Sequence, residues 1–178
     1  PGRRTGLREA DRHVAGRLVA DRREQASAND RATHGSYAAF AAAYNLAFAG
    51  ALLGARARGR TLPNPGLGDI ALFGVATHKL SRLLSKDKVT APLRAPFAEL
   101  DDRGGPAEVD ERPRGTGARR AVGELVTCPY CLDQWVAGGF AVGSIFAPRV
   151  TRLTASVLAT VAIADFLQIG YKLGHRAL

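Results

Sequence analysis

Only two cysteines occur in the 178 residues, Cys128 and Cys131, and only four histidines. A metal centre takes three or four ligands, so this pair completes none by itself. There is no Ser-His-Asp arrangement, no phosphate loop and no HExxH, which leaves hydrolase and nucleotide-driven chemistry without footing. Aromatic residues make up 7%, and none forms a platform among the basic residues. Acids interleave with the arginines, as in "ADRREQ" and "EVDERPR", so the net charge of +9 does not indicate nucleic-acid binding. Arginine outnumbers lysine 21 to 4 and alanine abounds, a bias that a GC-rich genome produces unaided. No charged start leads into an apolar core and a small-residue cleavage site. No secretory signal is therefore expected, and Pro1 reads as a processed start.

What the chain does have is apolar sequence gathered into blocks, with charge gathered between them. Residues 1–35 are charged and read as a cytoplasmic segment. Leu7, Val14 and Leu18 form a thin helical stripe there, which suits either a surface helix or a solvated tail. "YAAFAAAYNLAFAGALLGA", Tyr37–Ala55, has no charge and, as a helix, spans roughly 28 Å, about a bilayer core. Tyr37 at one end and Arg56, Arg58 and Arg60 at the other suit the two interfaces.

"RGRTLPNPG" reads as a turn. In "LGDIALFGVATHKLSRLLSKDKV", Leu67–Val89, the cations Lys79, Arg82 and Lys86 follow an apolar start. That pattern fits a helix leaving lipid at its basic end, with an amphipathic surface helix as the alternative. Residues 90–122 are rich in Pro, Gly and mixed charge and read as an extramembrane loop. "WVAGGFAVGSIFA", Trp135–Ala147, is short for a crossing, whereas "LTASVLATVAIADFLQIGY", Leu153–Tyr171, is of spanning length.

The expected fold class is therefore all-α: an integral membrane helical bundle of about four transmembrane helices, or three plus a half-inserted one. The membrane domain covers 36–178, with helices at about 37–57, 67–86, 131–147 and 151–172 and a cytoplasmic loop at 88–124. With the N-terminus inside, the inner side carries 20 of the 25 Lys and Arg residues. The positive-inside tendency then places both termini in the cytoplasm, in the inner membrane of a bacterium. Cys128 and Cys131 face the reducing side, which disfavours a structural disulfide.

Two stretches resemble a known family, the bacterial domain of unknown function 1360. "ATHKLSRLLSKDKVTAPLRAPF" is similar to its A-T-x-[RK]-L-x-R-L-x-x-x-D-K-[IV] … R-x-P-F pattern. "GELVTCPYCLDQW" is similar to its G-E-L-x-x-C-x-x-C-x-x-x-W pattern. The resemblance covers about Leu67 to Tyr171 and implies a small membrane protein, without implying an activity. The matching positions are Arg82, Asp87, Lys88, Arg94, Pro96, Phe97, Glu124, Cys128, Cys131 and Trp135.

The cysteine pair admits three readings. C-P-Y-C is also an active-site motif of glutaredoxins, in which case Cys128 is the nucleophile and Cys131 the resolving thiol. The βαβ context of that fold is missing here. A second chain could complete a Cys₄ metal site at a dimer interface. Otherwise both are small residues packing a turn, with Trp135 as interface anchor.

Asn45, Asp165 and Gln168 lie inside apolar segments, where an ionisable group needs a partner. Counting depth along the helices pairs Asp165 with Arg82, or failing that with Lys79 or His78. GxxxG patterns at Gly50–Gly54 and Gly139–Gly143 allow close helix packing or oligomer contacts. The expected role is a structural or interaction subunit anchoring a cytoplasmic partner, within a homo-oligomer or a larger membrane complex. No cofactor is expected. A membrane-bound thiol-disulfide oxidoreductase and a shared metal site are the alternatives.

Overall fold

A computed structural model describes residues 34–102, 104–105 and 107–177, together with Ala28 and Ala32. The expected surface helix over Leu7, Val14 and Leu18 lies outside the described residues. The first long helix, α1 (His34–Ala57), stops where its chemistry demands. Gly59 adopts φ +64°, the left-handed conformation that costs glycine nothing. The Gly59 N–H then donates to Arg56 O at 3.0 Å and the Arg60 N–H to Ala55 O at 3.0 Å, satisfying two terminal carbonyls.

After a proline-containing turn, α2 (Leu67–Ser85) begins with Asp69 reaching back to the Gly66 N–H at 3.3 Å. It becomes the central helix, packed against both later long helices. Its inward face is made of small residues, Ala76, Thr77, Ser81 and Ser85, all buried. The Ser81 and Ser85 hydroxyls lie 2.7 Å from the carbonyls one turn back, so their burial leaves no orphan oxygen.

The C-terminus of α2 is where the chain turns out of the bundle. A 3₁₀ turn (Lys88–Thr90) and a short helix α3 (Ala91–Arg94) bring Thr90 and Arg94 back under it. Thr90 Oγ1 donates to Leu83 O at 2.5 Å, and Arg94 Nη1 donates to Leu84 O at 2.7 Å. Arg94 Nη2 also reaches Asp87 O at 3.1 Å. A cation at a helix C-terminus, donating to its last carbonyls, is the favourable end of the dipole. Arg94 is 2% exposed, and its Nε meets the Glu111 carboxylate, itself 6% exposed.

Glu111 arrives on a hairpin. Strand β1 (Ala98–Asp102) pairs antiparallel with β2 (Asp110–Pro113), Ala98 opposite Pro113 and Leu100 opposite Glu111, with a bulge between Leu100 and Asp102. The connection between the strands folds back onto α2. Lys88 N–H donates to Ala107 O at 3.0 Å and Val109 N–H to Lys86 O at 2.9 Å. Helix α4 (Gly117–Thr127) packs on β2. A Cβ at Gly123 would stand 2.5 Å from Phe97 O, so only glycine permits this approach. Then come α5 (Pro129–Phe146) and α6 (Pro148–Ala177), separated by Ala147 alone and each opened by a proline at its first position.

Ala76, Phe140 and Ala155 form the packed centre, joined by Leu72, Phe73, Leu80, Val136 and Leu158. The Phe73 and Phe140 rings lie 5.6 Å apart. Helix α6 turns Thr151, Ala155, Ala159 and Ala162 inward and Leu153, Val157, Phe166 and Leu167 outward.

Three expectations need correction. The architecture is mostly helical rather than all-α, because the hairpin is present. The region expected as a loop over 88–124 contains a 3₁₀ turn, α3, the hairpin and most of α4. Pro, Gly and mixed charge signal a loop locally, but here the charges find partners across the strands and under α2. Four transmembrane helices are not supported either. Among the described residues, α1 and α6 are long and apolar enough to cross a membrane. Lys79 and Arg82 interrupt α2, and α5 opens with Asp133 and Gln134 in its first two turns.

The Arg94–Glu111 pair is a test of this account. Arg94→Ala leaves a buried carboxylate and the Leu84 carbonyl unpaired and should cost about 3–5 kcal/mol, read as a lowered thermal midpoint. Replacing both partners by apolar residues (Arg94→Met with Glu111→Leu) should lose much less.

Candidate functional site

Helix α4 ends and α5 begins at one residue, Cys128, whose φ −105° and ψ 109° are extended rather than helical. That conformation frees its side chain to lie over the first turn of α5, where the N–H groups have no intrahelical partner. Cys128 Sγ accepts from the Cys131 N–H at 3.3 Å, and the Cys131 thiol points to Cys128 Sγ at 2.7 Å. Pro129 fills the first helical position, where a missing N–H costs nothing. Both thiols are free, Cys128 half-buried and Cys131 exposed.

The two sulfurs are not equivalent. Desolvation first, then the hydrogen bond and charge of Cys128, then the Glu124 carboxylate push the Cys131 thiol up to about 11. Cys131 therefore holds its proton at neutral pH and acts as donor to its neighbour. Glu124, one turn before Cys128, is paired with Arg120 at 2.9 Å. Tyr130 stands between the two cysteines in sequence and is 84% exposed, so it does not cover them.

A belt of ion pairs surrounds the basic end of α2. Asp165 of α6 takes Lys79 at 2.7 Å rather than Arg82. Arg82 turns to Glu108 at 2.7 Å, and Lys86 to Asp110 at 3.0 Å. Both acids come from the hairpin, whose return to α2 was not legible locally. A cavity of about 400 Å³ opens among these groups, with His78, Lys79, Arg82, Glu108, Asp165 and Lys172 on its wall. A larger one of about 760 Å³, mostly apolar, lies between Phe48 of α1, Ile70 and Phe73 of α2, and Phe140 of α5.

Trp135 rests edge-on against Tyr44 of α1, ring centroids 5.4 Å apart, so it joins two helices of the protein. Tyr44 in turn covers Gly138, where a Cβ would stand 2.9 Å from its ring. Of the expected GxxxG positions, Gly143 packs against Thr151, whereas Gly50 and Gly139 have open space. Asn45 donates to Ala41 O on its own helix. The residues not singled out beforehand are Asp133, whose carboxylate meets Ser81 of α2, and Glu108 and Glu111. Asp133 carried a signal, an acid entering an apolar helix two residues after Cys131. The two glutamates carried none that separates them from neighbouring surface acids. Among the described residues, no group of three or more His, Cys, Asp and Glu could hold a metal ion.

The profile of the family described as "Protein of unknown function (DUF1360)" matches residues 72–171, and the chain belongs to that family. The match runs from the first turns of α2 into α6, so it takes in the Arg94–Glu111 pair and both cysteines and leaves out α1. The chain is also 32% identical over 102 residues to "Sporulation protein YjcA" of Bacillus subtilis (strain 168), covering 56% of this chain and 86% of that protein. No solved structure matches.

The inequality of the two thiols is measurable. Alkylation of Cys131 by iodoacetamide, followed by peptide mass spectrometry, should stay slow at neutral pH and rise with a midpoint near 11. Cys128→Ala removes two of the causes, so the midpoint should move down toward the ordinary thiol range.

Proposed function

We propose that this chain is a small structural or interaction subunit of a bacterial inner membrane, anchoring a cytoplasmic partner. In this reading α1 and α6 lie in lipid, and the hairpin with α4 forms the platform that meets the partner. The observation that carries it is the poor coverage of the two longest apolar helices. Only 6% of the α1 window and 17% of the α6 window are buried, the reverse of a core helix in a water-soluble fold. Leu46, Leu53, Val157, Ile163, Phe166 and Leu167 all face outward. Each such side chain left in water forgoes about 1.5–3 kcal/mol of burial, and lipid removes that deficit.

The inward small residues of α6 support the same solvent. Between helices in lipid there is no water to expel, so close backbone approach rather than bulky side chains drives packing. Ala155, Ala159 and Ala162 provide it.

The charge distribution supports the sidedness. The platform carries Arg112, Arg114, Arg119 and Arg120, all exposed, on the side that the positive-inside tendency assigns to the cytoplasm. Partly exposed acids sit among them, with Arg112 to Glu99 at 2.7 Å, giving a mixed polar face suited to a protein surface. The Bacillus subtilis relative is named for sporulation. For this chain a part in such a process would take the form of assembly or anchoring.

Fractionation and cysteine labelling test the reading together. The protein should stay with membranes through high salt and alkaline carbonate and leave only with detergent. A single cysteine placed at Arg112, in a background lacking Cys128 and Cys131, should resist a membrane-impermeant maleimide in intact cells and react after permeabilisation. A monodisperse species in detergent-free buffer, or labelling of that position from outside, would overturn it.

A further inference from the structure

From the approach of Cys131 to Cys128 across the first turn of α5, we infer that the pair is a dithiol–disulfide couple that reduces exposed disulfides. The inference goes beyond an anchoring role and does not depend on which partner the chain meets. It borrows from that reading only the cytoplasmic side, where a dithiol is kept charged with electrons.

Four features of the geometry converge. The sulfurs are 2.7 Å apart, so a movement of under about 1 Å reaches bonding distance. Cys128 lies outside the helix, and its extended backbone lets the side chain swing over the turn. Its sulfur receives the Cys131 N–H, one of the donors a helix leaves free in its first turn. Finally, a disulfide can approach: Cys128 is only half-buried, Cys131 is exposed, and Tyr130 stands out from the surface between them. A cysteine pair serving only to pack a turn needs neither the exposure nor the mutual orientation.

The reaction balances as two exchanges. Cys128 thiolate attacks one sulfur of a substrate disulfide. A Cys128–substrate S–S bond forms, the substrate's own S–S bond breaks, and the leaving thiolate takes a proton from water. Cys131 then gives up its proton to solvent and attacks Cys128 Sγ. The Cys128–Cys131 disulfide forms and the second substrate thiolate departs. Two electrons have passed from the dithiol to the substrate, and a low-molecular-weight thiol returns them by the same steps reversed. The shared chemistry is an accessible disulfide, whether of a small thiol or of a peptide.

The full chain in detergent tests this with defined probes. Equilibration across reduced and oxidised glutathione ratios, followed by maleimide mass labelling, should show one two-electron transition joining Cys128 to Cys131. With oxidised glutathione, Cys131→Ser should trap one glutathione on Cys128, seen as a single mass addition. A disulfide-bonded peptide offered alongside oxidised glutathione then assigns the source, as the faster of the two substrates. Three results would each overturn the inference: no intramolecular disulfide anywhere in the glutathione range, no glutathione trapped on Cys128 in Cys131→Ser, or retained zinc shared between two chains that withholds all four thiols from maleimide. The titration uses the unsubstituted protein, so a variant that misfolds leaves it intact.

Discussion

A single guanidinium organises the polar half of this molecule. An α-helix that ends inside a protein leaves carbonyls that must be satisfied, and α2 ends under a layer of its own chain. Arg94 donates to Leu84 O and Asp87 O, lies 2.6 Å from Thr90 Oγ1, and meets Glu111 on the hairpin. Its charge is almost wholly buried, so each of those contacts is needed to offset desolvation. Because Glu111 belongs to β2, the same residue that closes α2 also positions the hairpin. The hairpin positions α4 through the contact of Gly123 with Phe97 O, and the end of α4 is Cys128.

The helical half obeys a different rule. Many bulky side chains of α1 and α6, such as Leu46, Leu53, Val157 and Leu167, point away from the protein, and small residues line much of the contact around the Phe73–Phe140 pair. Burying small residues gains little hydrophobic free energy, so in water this distribution would be a poor way to stabilise a fold. It brings backbones close, and it leaves the outward surface of α1 and α6 apolar. The ion pair between Lys79 and Asp165 belongs to the same design, since a carboxylate between helices is tolerable only where a cation answers it.

Much of this was legible residue by residue. The apolar runs marked the long helices, and Asp165 announced a need for a cation from α2. The identity of that cation was not legible. Depth along the helix axis narrows the choice to Lys79, Arg82 and His78, which sit within one turn of each other. What decides is that Glu108 captures Arg82 first. Glu108 reaches it only because the stretch read as a loop is a hairpin folded back on α2.

The chain's own order of residues settles whatever depends on near neighbours: that the long apolar stretches are helices, and that two thiols stand near a helix start. It also settles family membership, since residues 72–171 carry the shared pattern. The folded structure alone decides which charges meet, why residue 123 must be glycine, and that Cys131 is exposed while Cys128 is half-buried. Those outcomes depend on groups far apart in sequence but a few ångströms apart in space. Propensity and periodicity report only on local backbone preference and facing, and contain no term for such distant partners.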